Sequence, residues 1–164
     1  MELWDIYDED RNITGRTHVR GEKLKEGEYH LVVHIWIMNS KGEFLIQKRA
    51  HSVTIAPGMW ATTGGSAIKG DDSYRACVRE TREEIGILPD MANAEILFAK
   101  KKDDFFYDVW LIRQDFDICD CKLQVEEVSQ VMWVSKEEIL AMIHKGEFWP
   151  YSYLEDILKL ADKY

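Results

Sequence analysis

The segment from Gly64 to Ile87, GGSAIKGDDSYRACVRETREEIGI, constrains the fold of this 164-residue chain more than any other stretch. Its second half predicts an α-helix from about Ser73 to Ile85. Gly86 is expected to end that helix, because glycine readily adopts the left-handed conformation found at helix C-termini. The Gly64-Gly65 pair before the helix is expected to interrupt regular structure and to let backbone groups approach a ligand.

One face of the predicted helix carries three carboxylates, on Glu80, Glu83 and Glu84. Side chains at i, i+3 and i+4 are neighbours on a helix, so their negative charges repel one another. A hard divalent cation relieves that repulsion, and Mg²⁺ prefers oxygen ligands and shares phosphate oxygens with its substrate. A solvated acidic helix face is the alternative interpretation. The opposite side of this helix is expected to face the core, and it carries Tyr74, Val78, Thr81 and Ile85.

The flanking sequence predicts a sheet. HLVVHIWIM, at residues 30–38, is typical of a buried strand, and residues 43–49 are expected to form a hairpin with it. Further strands are expected at 60–63, 95–101, 105–113 and 131–134. Two helices near the C-terminus are expected to begin at capping signatures, Ser135 with Glu138 and Ser152 with Glu155. This order favours a mixed α/β sheet flanked by helices over alternating βαβ units.

The spacing around the predicted helix resembles the Nudix box, G-x5-E-x7-R-E-U-x-E-E-x-G-U, in which U is a bulky aliphatic residue. Seven of its nine fixed positions match between Gly65 and Ile87. Asp71 stands where the family has glutamate, and Thr81 stands where it has an aliphatic residue. The resemblance extends from about Tyr29 to the end of the chain. It implies an α/β/α sandwich with a mixed β-sheet.

The resemblance also implies an activity and a metal site. The expected reaction is hydrolysis of a phosphoanhydride bond in a nucleoside diphosphate-type substrate, with Mg²⁺ or Mn²⁺ as cofactor. Glu80, Glu83, Glu84 and the Gly64 carbonyl are the expected metal ligands. Glu80 is the first candidate for the general base, and Glu127 is the second.

Four more residues have expected roles around that metal. Arg79 and Asp71 are expected to orient the carboxylates, while Arg49 and Gly65 are expected to contact the substrate. Arg49 suits a phosphate because its planar guanidinium binds two oxygens at once. Asp71, shorter than the family's glutamate, is expected either to reach the metal through water or to cap the helix, and Asp72 is an alternative for either role.

Composition excludes other classes of function. The net charge of −9 disfavours binding to nucleic-acid polymers. The partner that the resemblance implies is a small phosphorylated substrate. Three cysteines, an odd number, give no closed disulfide framework, and no signal peptide or membrane span is expected. A single cytoplasmic Nudix domain is therefore predicted over residues 1–164, with residues 1–28 as a packed β extension. The resemblance is also compatible with a homodimer.

Two alternatives to a hydrolase were weighed. The N-terminal segment resembles the extension of isopentenyl-diphosphate isomerases, but their chemistry needs a cysteine and a histidine where this chain has Gly64 and Ser66. A non-catalytic nucleotide-binding module is the other alternative. Such modules usually lose the carboxylates of the box, and this chain keeps all three on the helix.

Overall fold

The computed structural model describes residues 1–163. It contains nine strands and three α-helices within that range, joined by short 3-10 turns. The strands are β1 (Leu3–Tyr7), β2 (Ile13–Val19), β3 (His30–Met38), β4 (Phe44–Arg49), β5 (Trp60–Ala61), β6 (Thr63–Ser66), β7 (Ala94–Lys102), β8 (Phe105–Arg113) and β9 (Val128–Val134). The helices are α1 (Ser73–Ile85), α2 (Lys136–His144) and α3 (Leu154–Leu158).

The main sheet is mixed. Its strand order is β5-β4-β3-β8-β7, with β6 paired to β3 and β9 paired to β4. Strands β3 and β8 run parallel along their whole length, and the other pairs are antiparallel. The continuous apolar sequence of β3 fits its central position in the sheet. A strand that is covered on both faces has no solvent-facing side, so polar residues need not alternate with apolar ones.

Helices cover both faces of the sheet. On one face, Ala76, Cys77 and Ile85 of α1 pack against inward side chains of β3, β4 and β8. On the other face, Ile139 of α2 and Ile157 of α3 pack against the opposite side of the same strands. The result is an α/β/α sandwich, as the sequence predicted.

Strands β1 and β2 form a separate two-stranded antiparallel sheet. This N-terminal hairpin contacts the loop that precedes α1: the Lys69 N–H donates to the Leu3 carbonyl at 2.8 Å, and the Gly70 N–H donates to Asp5 at 2.8 Å. The hairpin therefore holds in place the loop that leads into α1, the helix that carries the candidate site residues. That residues 1–28 are an extension of one domain stays a prediction.

One local prediction is confirmed only in part, and two were wrong. The predicted hairpin of β3 and β4 forms, with the two strands antiparallel about their turn. Strands β3 and β4 pair only beside their turn, at Met38 and Phe44, because β6 and β8 take the two edges of β3 further along. Gly64 and Gly65 do not break the chain but lie inside β6, paired with His34 and Val33. Helix α3 begins after Tyr153 without a side-chain cap, so the Ser152 signature does not operate there.

The predicted core side of α1 is confirmed at Thr81 and Ile85, is wrong at Tyr74, and is only half-buried at Val78. Tyr74 is 52% exposed, whereas Ala76 and Cys77 are fully buried together with Thr81 and Ile85. The helix is rotated so that Glu84 also enters the interior. No helix within residues 1–163 is long and apolar enough to cross a membrane.

Candidate active site

Helix α1 is fixed at both ends by local chemistry. Asp72 is its N-cap and accepts a hydrogen bond from the Arg75 N–H at 2.8 Å, which satisfies one of the free donors of the first turn. Gly86 ends the helix with φ of 71°, as predicted, and its N–H donates to the Arg82 carbonyl. These caps set the beginning and the end of the segment that carries the three glutamates.

Glu80 and Glu84 point into the interface between α1 and the sheet. The side chain of Glu80 is 13% exposed and Glu84 is 6% exposed. Burial raises the pKa of Glu80 to about 7, against the opposing effect of Arg79. Burial, and then the charge of Glu80, raise the pKa of Glu84 well above its usual range. Two adjacent buried carboxyl groups without a cation between them resist ionisation.

Two polar residues of the sheet hold Glu84, and the sequence analysis did not identify either one. The Gln47 Nε2 group donates to Glu84 Oε2, and the Thr63 hydroxyl donates to Gln47 Oε1 at 3.0 Å. Gln47 is 2% exposed and Thr63 is 1% exposed. The sequence did contain a signal for Gln47, because this glutamine stands in the apolar segment FLIQKR. A glutamine side chain buried in a strand rarely lacks a hydrogen-bond partner.

The two glycines of β6 permit two different close approaches, one to the Glu80 carboxylate and one to β3. A Cβ atom at Gly65 would overlap the Glu80 carboxylate, whereas one at Gly64 would lie 2.5 Å from the Val33 carbonyl oxygen. A hydrogen bond from the backbone at Gly64 also favours the charged form of Glu84. Gly65 therefore permits a close approach of α1 to β6, and Gly64 permits a close approach of β3 to β6.

Arg79 connects the acidic groups of the site. Its guanidinium donates to Asp71 at 2.9 Å, to Glu80 at 3.1 Å and to Glu83 at 3.1 Å, and it also reaches the Ser66 carbonyl at 3.0 Å. Asp71 additionally accepts from the Ile68 N–H at 3.2 Å. Helix capping belongs to Asp72, so the carboxylate of Asp71 is free to hold Arg79.

The three helix glutamates do not share one environment. Glu83 has half of its side chain exposed and pairs with Arg79, while Glu80 and Glu84 are buried against β6 and β4. Within residues 1–163, no group of three His, Cys, Asp or Glu side chains stands close enough together to hold a metal ion as arranged.

The donor set fits a hard divalent cation. It consists of carboxylate oxygens and the nearby backbone of Gly64, which are the oxygen ligands that Mg²⁺ accepts. The raised pKa values of Glu80 and Glu84 have the same main cause, because burial disfavours the ionised form of each carboxyl group. A cation between them would favour the ionised forms.

Arg49 is the last residue of β4, and Glu127 lies in the turn immediately before β9. The Arg49 Nε atom donates to the Ile55 carbonyl at 2.8 Å. The Glu127 carbonyl accepts from the Ala50 N–H at 2.9 Å, and its side chain is exposed. In the described part of the chain, no hydrogen bond or ion pair joins the Glu127 carboxylate to the glutamates of α1.

Tyr151 connects this region to the opposite face of the sheet. Its hydroxyl accepts a hydrogen bond from the Thr62 N–H at 3.2 Å. Burial raises the pKa of that hydroxyl, and the charges of Arg49 and Glu84 act on it in opposite directions. The sequence analysis did not identify Tyr151, because nothing local in the segment WPYSY indicates what it contacts.

Comparisons with known proteins agree with this geometry. The NUDIX domain family model matches residues 28–157. The chain is 44% identical to a Nudix hydrolase of Listeria monocytogenes, over 99% of this chain and 96% of that protein. It is also 44% identical to one of Listeria innocua over the same shares.

Solved structures give the same fold. Protein DR0079 of Deinococcus radiodurans has a TM-score of 0.76 and 23% identity, covering 99% of this chain and 98% of that one. The NUDIX domain of Shewanella oneidensis NrtR, solved in complex with ADP ribose, has a TM-score of 0.63 and 15% identity, covering 89% of this chain and 92% of that one. At these identities the likeness shows the fold alone.

Proposed function

This chain belongs to the Nudix family and is a Nudix hydrolase, and from that premise we propose that it cleaves the phosphoanhydride bond of a nucleoside diphosphate-type substrate with Mg²⁺ or Mn²⁺. The observation that carries the proposal is the buried Glu80–Glu84 pair beside Gly64 and Gly65. Burying two adjacent carboxylates is costly unless a positive charge compensates them. A resident divalent cation explains why this helix retains both.

The residues proposed to hold the metal are Glu80, Glu83, Glu84 and the Gly64 carbonyl. When bound, the cation would neutralise negative charge on the phosphates and would lower the pKa of the attacking water. Asp71 is proposed to act through Arg79, because the three carboxylates that contact this guanidinium share its positive charge. The ion pairs restrain both Glu80 and Glu83, and Glu83 is the more exposed of the two.

Glu80 is the proposed general base, with Glu127 as the second candidate. A general base must lie within hydrogen-bond reach of the water it deprotonates and have a pKa near the working pH. The Glu80 carboxylate lies directly against Gly65, the residue proposed to contact the substrate. Glu127 would need its exposed side chain to turn toward the site, so the structure supports Glu80 more directly.

Arg49 and Gly65 are proposed to bind the substrate phosphates. The Arg49 side chain is held at Nε by the Ile55 carbonyl, which leaves its two terminal nitrogens to bind phosphate oxygens. Gly65 exposes backbone beside Glu80. The partner is a small phosphorylated molecule, as is usual in this family, and a homodimer in the cytoplasm stays a prediction.

The experiment is a phosphate-release screen over nucleoside diphosphates and triphosphates, nucleotide sugars including ADP-ribose, dinucleotides and non-nucleotide diphosphates. Each compound is tested with Mg²⁺, with Mn²⁺ and with excess chelator. We expect turnover of at least one compound, loss of that turnover with chelator, and recovery when metal is restored. Metal-independent hydrolysis of the best substrate would contradict the proposed cofactor.

Two variants locate the metal. Glu83→Gln and Glu84→Gln should each lose most turnover while keeping a cooperative unfolding transition. Glu84→Gln should not destabilise the metal-free protein, because it removes a charge that is unfavourable in the interior. Wild-type rates in both variants would show that the site is assigned to the wrong residues.

A further inference from the structure

A buried amide and a buried hydroxyl lie directly behind the proposed metal ligand Glu84. Gln47 stands on β4, flanked by Ala61 of β5 and Val131 of β9, and its side chain points toward α1. A side-chain amide removed from water costs free energy unless all of its polar atoms are paired. Here the amide oxygen and nitrogen both have partners, which are Thr63 and Glu84.

Thr63 and Glu84 together define which way the Gln47 amide faces. Its hydroxyl donates to Gln47 Oε1 at 3.0 Å, so the NH₂ group is turned toward the Glu84 carboxylate. The reversed amide would place its oxygen against a carboxylate oxygen, and two acceptors without a proton between them repel. Thr63 is 1% exposed, so no water competes for its hydroxyl.

The amide in turn determines how Glu84 presents its oxygens. Gln47 binds Oε2, and the same carboxylate lies against Glu80 and the Gly64 backbone. A carboxylate held through one oxygen cannot rotate freely about its last torsion. Hydrogen bonds of this kind fix the orientation of metal ligands, and their loss typically weakens metal binding about 10- to 100-fold.

We infer that Gln47, oriented by Thr63, is a positioning residue that fixes the Glu84 carboxylate for metal binding. The inference rests on the proposed function, because it takes Glu84 as a metal ligand. Neither residue touches substrate: both act through Glu84. The arrangement joins three elements, β4, β6 and α1, so the geometry of one ligand depends on the register of two strands.

The test measures binding of Mn²⁺ alone, by electron paramagnetic resonance of the free ion, so that turnover is not needed. Gln47→Met keeps the length of the side chain and removes the amide. Thr63→Val keeps the shape and removes the hydroxyl, whereas Thr63→Ser keeps the hydroxyl and serves as the matched control. We expect the Kd for Mn²⁺ to rise at least about tenfold in Gln47→Met, to rise less in Thr63→Val, and to stay within about twofold in Thr63→Ser.

If Gln47 and Thr63 had only a structural role, their variants would change the stability of the protein but not its Kd for Mn²⁺. Mn²⁺ affinities within about twofold of wild type in both Gln47→Met and Thr63→Val would overturn the inference. If Gln47→Met does not fold, the comparison of Thr63→Val with Thr63→Ser decides alone: equal affinities reject the inference and a difference supports it.

Glu84→Gln separates this inference from the proposed function. If Glu84→Gln binds Mn²⁺ as wild type does, the assignment of Glu84 as a ligand fails, and the positioning role fails with it. If Glu84→Gln loses affinity while the Gln47 and Thr63 variants do not, Glu84 remains a ligand and only the positioning role is rejected. Loss of Mn²⁺ affinity in Glu84→Gln, Gln47→Met and Thr63→Val supports both the assignment of Glu84 as a ligand and the positioning role.

Discussion

Arg11, in the loop between β1 and β2, forms a two-pronged ion pair with Asp108 of the central strand β8. The two hydrogen bonds measure 2.7 and 2.6 Å. The Asp108 side chain is completely buried, while that of Arg11 is 32% exposed. Arg11 also has a left-handed backbone, with φ of 65°, and stacks over Phe106. The N-terminal hairpin is thereby joined to the core of the main sheet.

Removing Arg11 is expected to cost more stability than removing Asp108. Arg11→Met leaves a carboxylate buried without its counter-charge, which costs about 3–5 kcal/mol. Asp108→Asn should cost less, because the half-buried Arg11 side chain can turn toward water. The free energy of unfolding from urea titrations measures both. Arg16→Met is the control, because its pair with Glu28 has an exposed arginine and should contribute less than about 1 kcal/mol.

The two glycines of β6 should respond differently to alanine. Gly65→Ala places a methyl group into the Glu80 carboxylate, a flexible group that moves aside, so turnover should fall about a hundredfold with little loss of stability. Gly64→Ala meets the Val33 carbonyl, which is backbone and cannot move, so it should lower the free energy of unfolding by about 1–3 kcal/mol. Turnover rates and thermal melts distinguish the two, and equal effects would contradict this account of the site.

Asp71 and Asp72 are adjacent but should have separate roles. Asp71→Asn weakens the ion pair with Arg79 and should lower turnover roughly tenfold, with little change in melting temperature. Asp72→Ala removes the N-cap of α1 and should cost about 1 kcal/mol of stability, with turnover nearly intact. Unchanged turnover in Asp71→Asn would remove Asp71 from the site and leave the three helix glutamates.

His30 should make the protein less stable in mild acid. Burial lowers its pKa to about 4 from 6.5, aided by the charges of Arg20 and His18 and opposed by Asp104. The unfolded chain therefore binds a proton between pH 6.5 and 4 that the folded chain does not. The stability contributed by neutral His30 is complete above pH 6.5 and is lost as the pH falls toward 4.

His30→Phe isolates that contribution. Phenylalanine keeps a ring against Trp4, on which His30 stacks at 3.9 Å, and cannot titrate. The substitution removes no hydrogen bond at Nδ1, because this atom of His30 is buried without a hydrogen-bond partner among residues 1–163. Between pH 7.5 and 5, the variant should gain about 2 kcal/mol relative to wild type. A constant difference across this range would show that His30 does not titrate as described.

The sequence by itself determined the local features of this protein. The span of α1 and its Gly86 end follow from periodicity and cap chemistry, which act over a few neighbouring residues. The strand at 30–38 follows from its apolar and β-branched composition. The Nudix family follows from the spacing of single residues along one segment, and spacing is a property of sequence alone.

Only the tertiary structure decided how the three glutamates differ. Their spacing predicts a common face, but whether that face meets solvent or sheet depends on the rotation of α1 against strands distant in sequence. Docking of the helix buries Glu84 against Gln47, which lies 37 positions earlier, and leaves Glu83 exposed beside Arg79. The pairing of Arg11 with Asp108 spans 97 positions. Contacts of this length are set by strand register and layer packing, which no local pattern encodes.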